Sequence, residues 1–202
     1  TVTILTSRSA DPTGYGRILR NDQGAVTAIR EHKDASEAEL LIDEVNSGIL
    51  VVTGDFLDAA VRGLSSDNAQ NELYLTDIVA AAVEQGLAVG AHVLADRWQT
   101  EGVNDRRQLA AMARELNKRI TTHWMTEGVT IIDPATTWID VDVTIGRDTT
   151  IRPGTQLLGS TTIAENAEIG PDTTLRNVAV GSGASVIRTD ATDVSIGADA
   201  TI

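Results

Sequence analysis

The chain reads as an α/β layer, then a connecting helix, then a left-handed parallel β-helix of hexapeptide repeats. Three observations predict that order. Strand-like and helix-like runs alternate through the first hundred residues. From residue 139 an aliphatic residue falls at every sixth position, and five of the six aromatic residues lie before residue 125.

In the first region, Val2-Thr3-Ile4-Leu5 and Ile49-Leu50-Val51-Val52 are strand-like, whereas Phe56 to Leu64 suits a helix. A second helix is expected after Thr76-Asp77, read as its N-terminal cap, running through Ile78 to Val83 and ending near Gly86. Strands and helices of this length in alternation form an α/β layer.

Asp105 followed by Gln108 resembles a capping box. Leu109, Met112, Leu116, Ile120 and Trp124 then recur at spacings of three and four. This is the apolar stripe of a helix about 20 residues long, or roughly 30 Å. It is expected to connect the two regions and to end near Gly128, ahead of a coiled-coil reading that lacks flanking charge pairs.

Ile139, Ile145, Ile151, Leu157, Ile163, Ile169 and Leu175 keep the six-residue interval without a miss. Val143, Thr149, Thr155, Thr161, Ala167 and Thr173 follow the first six, four places on. A period of six fits neither a helix near 3.6 nor a lone strand of period two. It fits a solenoid with one inward aliphatic per flat face and small residues at the corners. After Leu175 the register slips to Val180 and Val186, then resumes at Ile196 and Ile202.

Composition narrows the function classes. The 202 residues carry a net charge of −13, against a nucleic-acid footprint or an anionic membrane surface. Residues 1–126 hold 12 basic and 18 acidic side chains, and residues 127–202 hold 4 and 11, so neither part is a basic module. There is no cysteine, hence no disulfide framework and no thiolate metal site. No run reaches the roughly 18 apolar residues of a membrane span, and the first residues lack the order of a signal peptide. A cytoplasmic location is the expectation. The repeat stops in mid-rhythm at Ile202 with no polar cap, and the chain starts on strand-like residues without Met. A central piece of a longer protein is therefore expected.

Taken singly, the chemical signals are modest. Gly14-Tyr15-Gly16 could let a ligand approach the backbone or could mark a strand bulge. Glu31 and Asn46 each border a strand-like run. A carboxylate accepts from sugar hydroxyls and an amide both donates and accepts, although turn chemistry explains Asn46-Ser47-Gly48 as well. Asn104 precedes the long helix; its carbonyl suits Mg²⁺ beside a carboxylate, and it equally suits a loop or cap. His32, His92 and His123 have no metal-ligand spacing and are read as non-catalytic.

Set in order, these segments resemble one family. Asp11-Pro12-Thr13-Gly14-Tyr15-Gly16-Arg17-Ile18, Glu31-His32-Lys33-Asp34-Ala35 and Glu44-Val45-Asn46-Ser47-Gly48-Ile49 come first. Asn68-Ala69-Gln70, Glu72, Tyr74, Thr76-Asp77 and Glu101-Gly102-Val103-Asn104 follow, ahead of the hexads. Together they are similar to the bacterial bifunctional N-acetylglucosamine-1-phosphate uridyltransferase/glucosamine-1-phosphate N-acetyltransferases. Asp133-Pro134-Ala135-Thr136-Thr137-Trp138 resembles actinobacterial members in particular.

The resemblance implies the C-terminal half of a Rossmann-like nucleotidyltransferase (pyrophosphorylase) domain over residues 1–106. It further implies a connecting helix over 107–127 and the first coils of an acetyltransferase β-helix over 128–202. By that resemblance Gly16, Glu31, Asn46 and Asn104 would contact UDP-N-acetylglucosamine, and Asn104 would also bind Mg²⁺. UTP and N-acetylglucosamine-1-phosphate would be substrates of one half. Acetyl-CoA and glucosamine-1-phosphate would serve the other, and the β-helix would make a homotrimer. The family's glycine-rich Arg/Lys segment, its metal-binding Asp and its acetyl-transfer histidine have no counterpart here, so no catalytic residue is assigned and the chain alone is expected to be inactive. The alternatives are a non-catalytic trimeric sugar-nucleotide-binding or scaffold protein, and a plain hexapeptide acyltransferase, which has no use for Gly16, Glu31, Asn46 and Asn104.

Overall fold

The structure, a computed structural model, describes residues 2–103 and 105–202. Two compact units make up the chain, residues 1–102 and 103–202. No helix among the described residues is long and apolar enough to cross a membrane.

The first unit runs β1 (Val2–Arg8), β2 (Arg17–Arg20), β3 (Val26–Arg30), α1 (Glu37–Leu40), β4 (Glu44–Val52), α2 (Gly54–Arg62), α3 (Ile78–Glu84) and β5 (Val89–Leu94). The strands form one sheet in the order β3-β2-β4-β1-β5. Only β1 and β5 pair in parallel, and the other neighbours are antiparallel. Alternation along the strands puts Val2, Ile4, Ile18 and Ile29 on one face. There they bury against Phe56 and Ala60 of α2 and Ile78, Val79 and Ala82 of α3.

Glu44 is buried at the far end of β4 and is held by Arg20, whose Nε and NH2 donate to its two oxygens at 2.9 and 2.7 Å. The Thr6 hydroxyl donates to the same carboxylate at 2.9 Å. The Arg20 hydrogen bonds, opposed by burial, hold the Glu44 carboxyl below its usual range.

The start of α3 differs from the sequence reading. Leu75–Asp77 form a short 3₁₀ turn, α3 starts at Ile78, and Asp77 makes no side-chain capping bond. Thr76 is turned to another partner, described below.

In the second unit, α4 (Arg106–Thr126) begins at the expected capping box. Asp105 accepts from the amides of Arg107 and Gln108, and the Gln108 side chain accepts from the Asp105 amide. Its packing face is not the expected leucine stripe, because Leu109 and Leu116 are more than half exposed. The buried residues are Asn117 and Thr121, flanked by the partly buried Ile120 and Trp124. Asn117 Nδ2 donates to the Thr137 carbonyl at 2.7 Å, and its Oδ1 accepts from the Ile139 amide at 3.2 Å. A fully paired polar contact therefore joins helix to solenoid, which an apolar periodicity cannot register.

The solenoid follows as β6 (Thr130–Ile131), β7 (Trp138–Ile139), β8 (Thr144–Ile145) and β9 (Thr150–Ile151). Next come β10 (Gln156–Leu158), β11 (Thr162–Ile163), β12 (Glu168–Ile169) and β13 (Thr174–Arg176). β14 (Ala179–Val180), β15 (Ser185–Val186), β16 (Asp190–Thr192) and β17 (Ser195–Ile196) complete it. Every third strand stacks in parallel, giving three four-stranded sheets. This is a parallel β-solenoid of about four turns, in keeping with the left-handed hexapeptide class.

The inward column is the one the six-residue interval picks out: Ile139 to Leu175 are all buried, as are the corner residues Val143 to Thr173. The corner hydroxyls are satisfied locally, for example Thr155 to the Arg152 carbonyl and Thr161 to the Leu158 carbonyl, both at 2.7 Å. Gly146 marks a close approach of turns, since a Cβ there would lie 2.4 Å from the Glu165 amide nitrogen. Ile202, expected to face inward, is 53% exposed at the last rung.

Candidate functional site: a polar wall on the first sheet

β2, β3 and β4 lie side by side, and their registers align three of the sequence-selected residues. Arg17 pairs with Arg30 on one side and Val45 on the other. Continued by one residue, those registers set Gly16 between Glu31 and Asn46. The Asn46 amide donates to the Gly16 carbonyl at 2.8 Å. On the other flank, a Cβ added to Gly16 would lie 2.9 Å from Ile29 Cγ2 and 3.3 and 3.4 Å from the two Glu31 oxygens. The space that glycine leaves is thus filled by Ile29 and the Glu31 carboxylate. Gly16 seats Glu31.

Glu31 is extended and precedes a 3₁₀ turn over His32–Asp34. Its Oε1 accepts from the Thr76 hydroxyl at 2.9 Å. With Oε1 anchored, Oε2 is the oxygen left to receive a hydroxyl from a ligand. Sequence reasoning spent Thr76 on a helix cap; its place in the Tyr74-Leu75-Thr76-Asp77 motif was the only signal of another use.

Asn46 pairs with Thr6 at the edge of the bulge of β4 against β1, which lies between that pair and Ile4–Leu50. Its Oδ1 accepts from the Gly48 amide at 3.1 Å, and Gly48 takes φ +81°, which only glycine adopts without strain. Ser47 anchors the bulge through its hydroxyl, which donates to the Leu5 carbonyl at 2.6 Å. The turn thus uses the acceptor of Asn46, and the Nδ2 end is what it offers a ligand.

Tyr15 closes the adjacent turn. Its hydroxyl donates to Glu101 Oε1 at 3.0 Å, while Arg97 NH1 holds Glu101 Oε2 at 3.2 Å. Burial first, and then the Glu101 hydrogen bond, push the Tyr15 phenol above its usual pKa. Gly102 passes the same hydroxyl, with a Cβ there 4.0 Å away. Asn104, the fourth sequence-selected residue, lies outside the described residues.

A cavity of about 100 Å³ adjoins Glu31, lined by Ile29, Asp34, Asn68, Tyr74 and Asp77 among others. Asp34 Oδ1 takes the Ala69 amide at 2.8 Å and ties the 65–74 loop to it. Asp34 Oδ2 and the Tyr74 hydroxyl are buried there, and burial first, with the Asp34 carboxylate also contributing, raises the Tyr74 phenol above its usual pKa. Burial raises the Asp77 carboxyl pKa. A larger cavity of about 400 Å³ runs along α4 in the second unit, past Leu116, Ile120, Trp138 and Val141. Its walls are mostly apolar and carry no nucleophile–base pair, so the smaller, polar cavity is the candidate site.

The Mg²⁺ expectation named Asn104, which lies outside the described residues. Among the described residues no group of three or more His, Asp or Glu is arranged to hold an ion. A single Asn carbonyl is a poor Mg²⁺ site without a carboxylate.

Two families match the chain. The description "Nucleotidyl transferase" covers residues 1–141, and "Bacterial transferase hexapeptide (six repeats)" covers residues 142–177. Curated relatives named bifunctional protein GlmU are similar along its length. That of Corynebacterium efficiens is 58% identical over 201 residues, covering 100% of this chain and 41% of the relative. Those of Paenarthrobacter aurescens (56% over 201 residues; 100% and 40%) and a Mycobacterium species, strain KMS (55% over 200 residues; 99% and 40%), are alike in extent. The chain spans about two fifths of the length of these relatives.

Proposed function

The chain belongs to the nucleotidyl transferase family, continuing into hexapeptide-transferase repeats, and on that footing we propose that it is part of a bifunctional enzyme making UDP-N-acetylglucosamine. One observation carries the reading: Glu31, Gly16 and Asn46 form a row across three strands, with a carboxylate oxygen on one flank of Gly16 and an amide donor on the other. An acceptor and a donor set on two flanks of one row suit polar groups at two separate points of a sugar. The site thus takes the sugar of N-acetylglucosamine-1-phosphate.

In uridyl transfer a phosphate oxygen of that sugar attacks the α-phosphorus of UTP, the α–β P–O bond breaks and pyrophosphate leaves. Positioning and charge neutralisation supply most of such a rate. Glu31, Gly16 and Asn46 supply positioning alone. They hold the sugar so that its phosphate is presented in one orientation, and Thr76 keeps the Glu31 carboxylate from swinging. Mg²⁺ in this enzyme would neutralise phosphate charge; among the described residues no group of three or more His, Asp or Glu is arranged to hold it. Asn104 would complete the sugar-nucleotide contacts and give one neutral ligand to the metal.

Residues 128–202 contain no histidine, so the solenoid here supplies no imidazole for acetyl transfer from acetyl-CoA to glucosamine-1-phosphate. Its stacked turns form the start of that domain and, in the proposed homotrimer, part of its core. A cytoplasmic site in peptidoglycan-precursor synthesis accompanies the reading.

Steady-state kinetics on a full-length protein carrying this sequence test it. Glu31→Ala raises KM for N-acetylglucosamine-1-phosphate at least tenfold, keeps KM for UTP within twofold and spares acetyl transfer. Unchanged sugar-phosphate KM would remove Glu31 from the site and favour the non-catalytic scaffold.

A further inference from the structure

Arg17, next in chain to Gly16, is only 1% exposed and is the bulkiest of the fully buried side chains. A guanidinium stays charged in a protein, so burying it demands partners. The partners are unusual. Its NH1 donates to the Tyr15 carbonyl, and its NH2 lies 3.3 Å from His32 Nδ1. Nε is buried with no partner, and among the described ion pairs none involves Arg17. His32 Nδ1 must accept, because a guanidinium only donates.

Alternation on β2 explains the placement. Gly16 faces Ile29 and Glu31 on the helix-covered side, so Arg17 points to the opposite side of the same strands. Two consecutive residues on one strand therefore meet two consecutive residues on the next segment: Gly16 with Glu31 in front, Arg17 with His32 behind. Asp11 acts on this guanidinium at a distance without an ion-pair contact. A buried charge that lacks a direct pair adds little to stability, so that apolar replacements of buried ionic groups are often neutral or better. Geometry remains as its contribution.

We infer that Arg17 is a positioning residue that spans from the Tyr15 carbonyl to His32 and so sets how closely Glu31 is held against Gly16. It touches no ligand and acts only through Glu31. The inference rests on the sugar-site reading above.

The test uses the full-length protein carrying this sequence. Arg17→Met keeps the apolar stem but removes the fork, and it is expected to raise KM for N-acetylglucosamine-1-phosphate about five- to tenfold. KM for UTP and the acetyl-transfer rate stay within twofold. His32→Leu removes the acceptor and gives the same rise, whereas His32→Gln, whose carbonyl can still accept, restores most of the affinity. The double variant Arg17→Met/His32→Leu is no worse than either single one. Wild-type KM in His32→Leu, or equal loss of both activities in a folded Arg17→Met protein, would overturn the inference. If Arg17→Met does not fold, the two His32 variants decide. Glu31→Ala separates the two claims: a raised KM there with a normal one in His32→Leu sinks the brace alone, and no rise in either sinks the sugar site.

Discussion

The hydroxyl of Thr76 donates a 2.9 Å hydrogen bond to Oε1 of Glu31, 45 residues away in the chain. It fixes one carboxylate oxygen and leaves the other to a ligand. Thr76→Val, which keeps the shape and removes the donor, is expected to raise KM for the sugar phosphate about three- to tenfold, the worth of one hydrogen bond. Thr76→Ser retains the donor and should stay near the parent value. Kinetics that do not distinguish Val from Ser would show that the bond does not order the carboxylate.

Gly16→Ala puts a methyl 2.9 Å from Ile29 Cγ2, a branched carbon that cannot swing away independently. Overpacking of this kind costs about 1–3 kcal/mol and pushes Glu31 off its seat. Thermal unfolding of the 202-residue chain should show the loss. An alanine variant as stable as the parent would mean that the wall is more yielding than its contacts indicate.

Acid should weaken the first unit partly through Glu44. Its carboxyl pKa is lowered in the folded state, chiefly by the Arg20 hydrogen bonds. The stability it contributes is therefore complete above the unfolded value of about 4.3 and is lost as pH falls through that value toward the lowered one. Glu44→Gln should cost about 2 kcal/mol at pH 7 and flatten the decline in melting temperature below pH 5. Parallel acid limbs for parent and variant would count against this linkage.

In the second unit, Asn117→Leu strands the Thr137 carbonyl and the Ile139 amide, both satisfied by Asn117. A loss of about 2–4 kcal/mol is expected in denaturant unfolding. Leu116→Ser on the exposed side should change stability by no more than about 0.5 kcal/mol. The reverse ranking would restore the leucine stripe as the packing face.

How far the sequence could be read depended on whether a physical demand repeats. In the solenoid each face makes the same demand at a fixed interval, so Ile139 through Leu175 stood out without a structure. Beyond Leu175 some corners lose a residue, and the inward positions run Val180, Val186, Ala191 and Ile196. Ala191 stacks on Leu175 but is too small to register as aliphatic, which hid that rung. Asn177, Arg188 and Asp193 take positive φ near those shortened corners. The α4 contact was missed because Asn117 and Thr121 are polar. In the site, Gly16, Glu31 and Asn46 were found through an ordered resemblance, because nothing in composition marks a row that exists only once three strands are in register. Arg17 and Thr76 were legible as motif members but not as bonded partners, since their acceptors lie 15 and 45 residues away.

A crystal structure of a full-length protein carrying this sequence, with UDP-N-acetylglucosamine bound, tests the sugar site most directly. Sugar hydroxyls should lie about 3 Å from Glu31 Oε2 and Asn46 Nδ2, with the Thr76–Glu31 bond intact. A sugar seated elsewhere, leaving Glu31 and Asn46 untouched, would contradict the assignment.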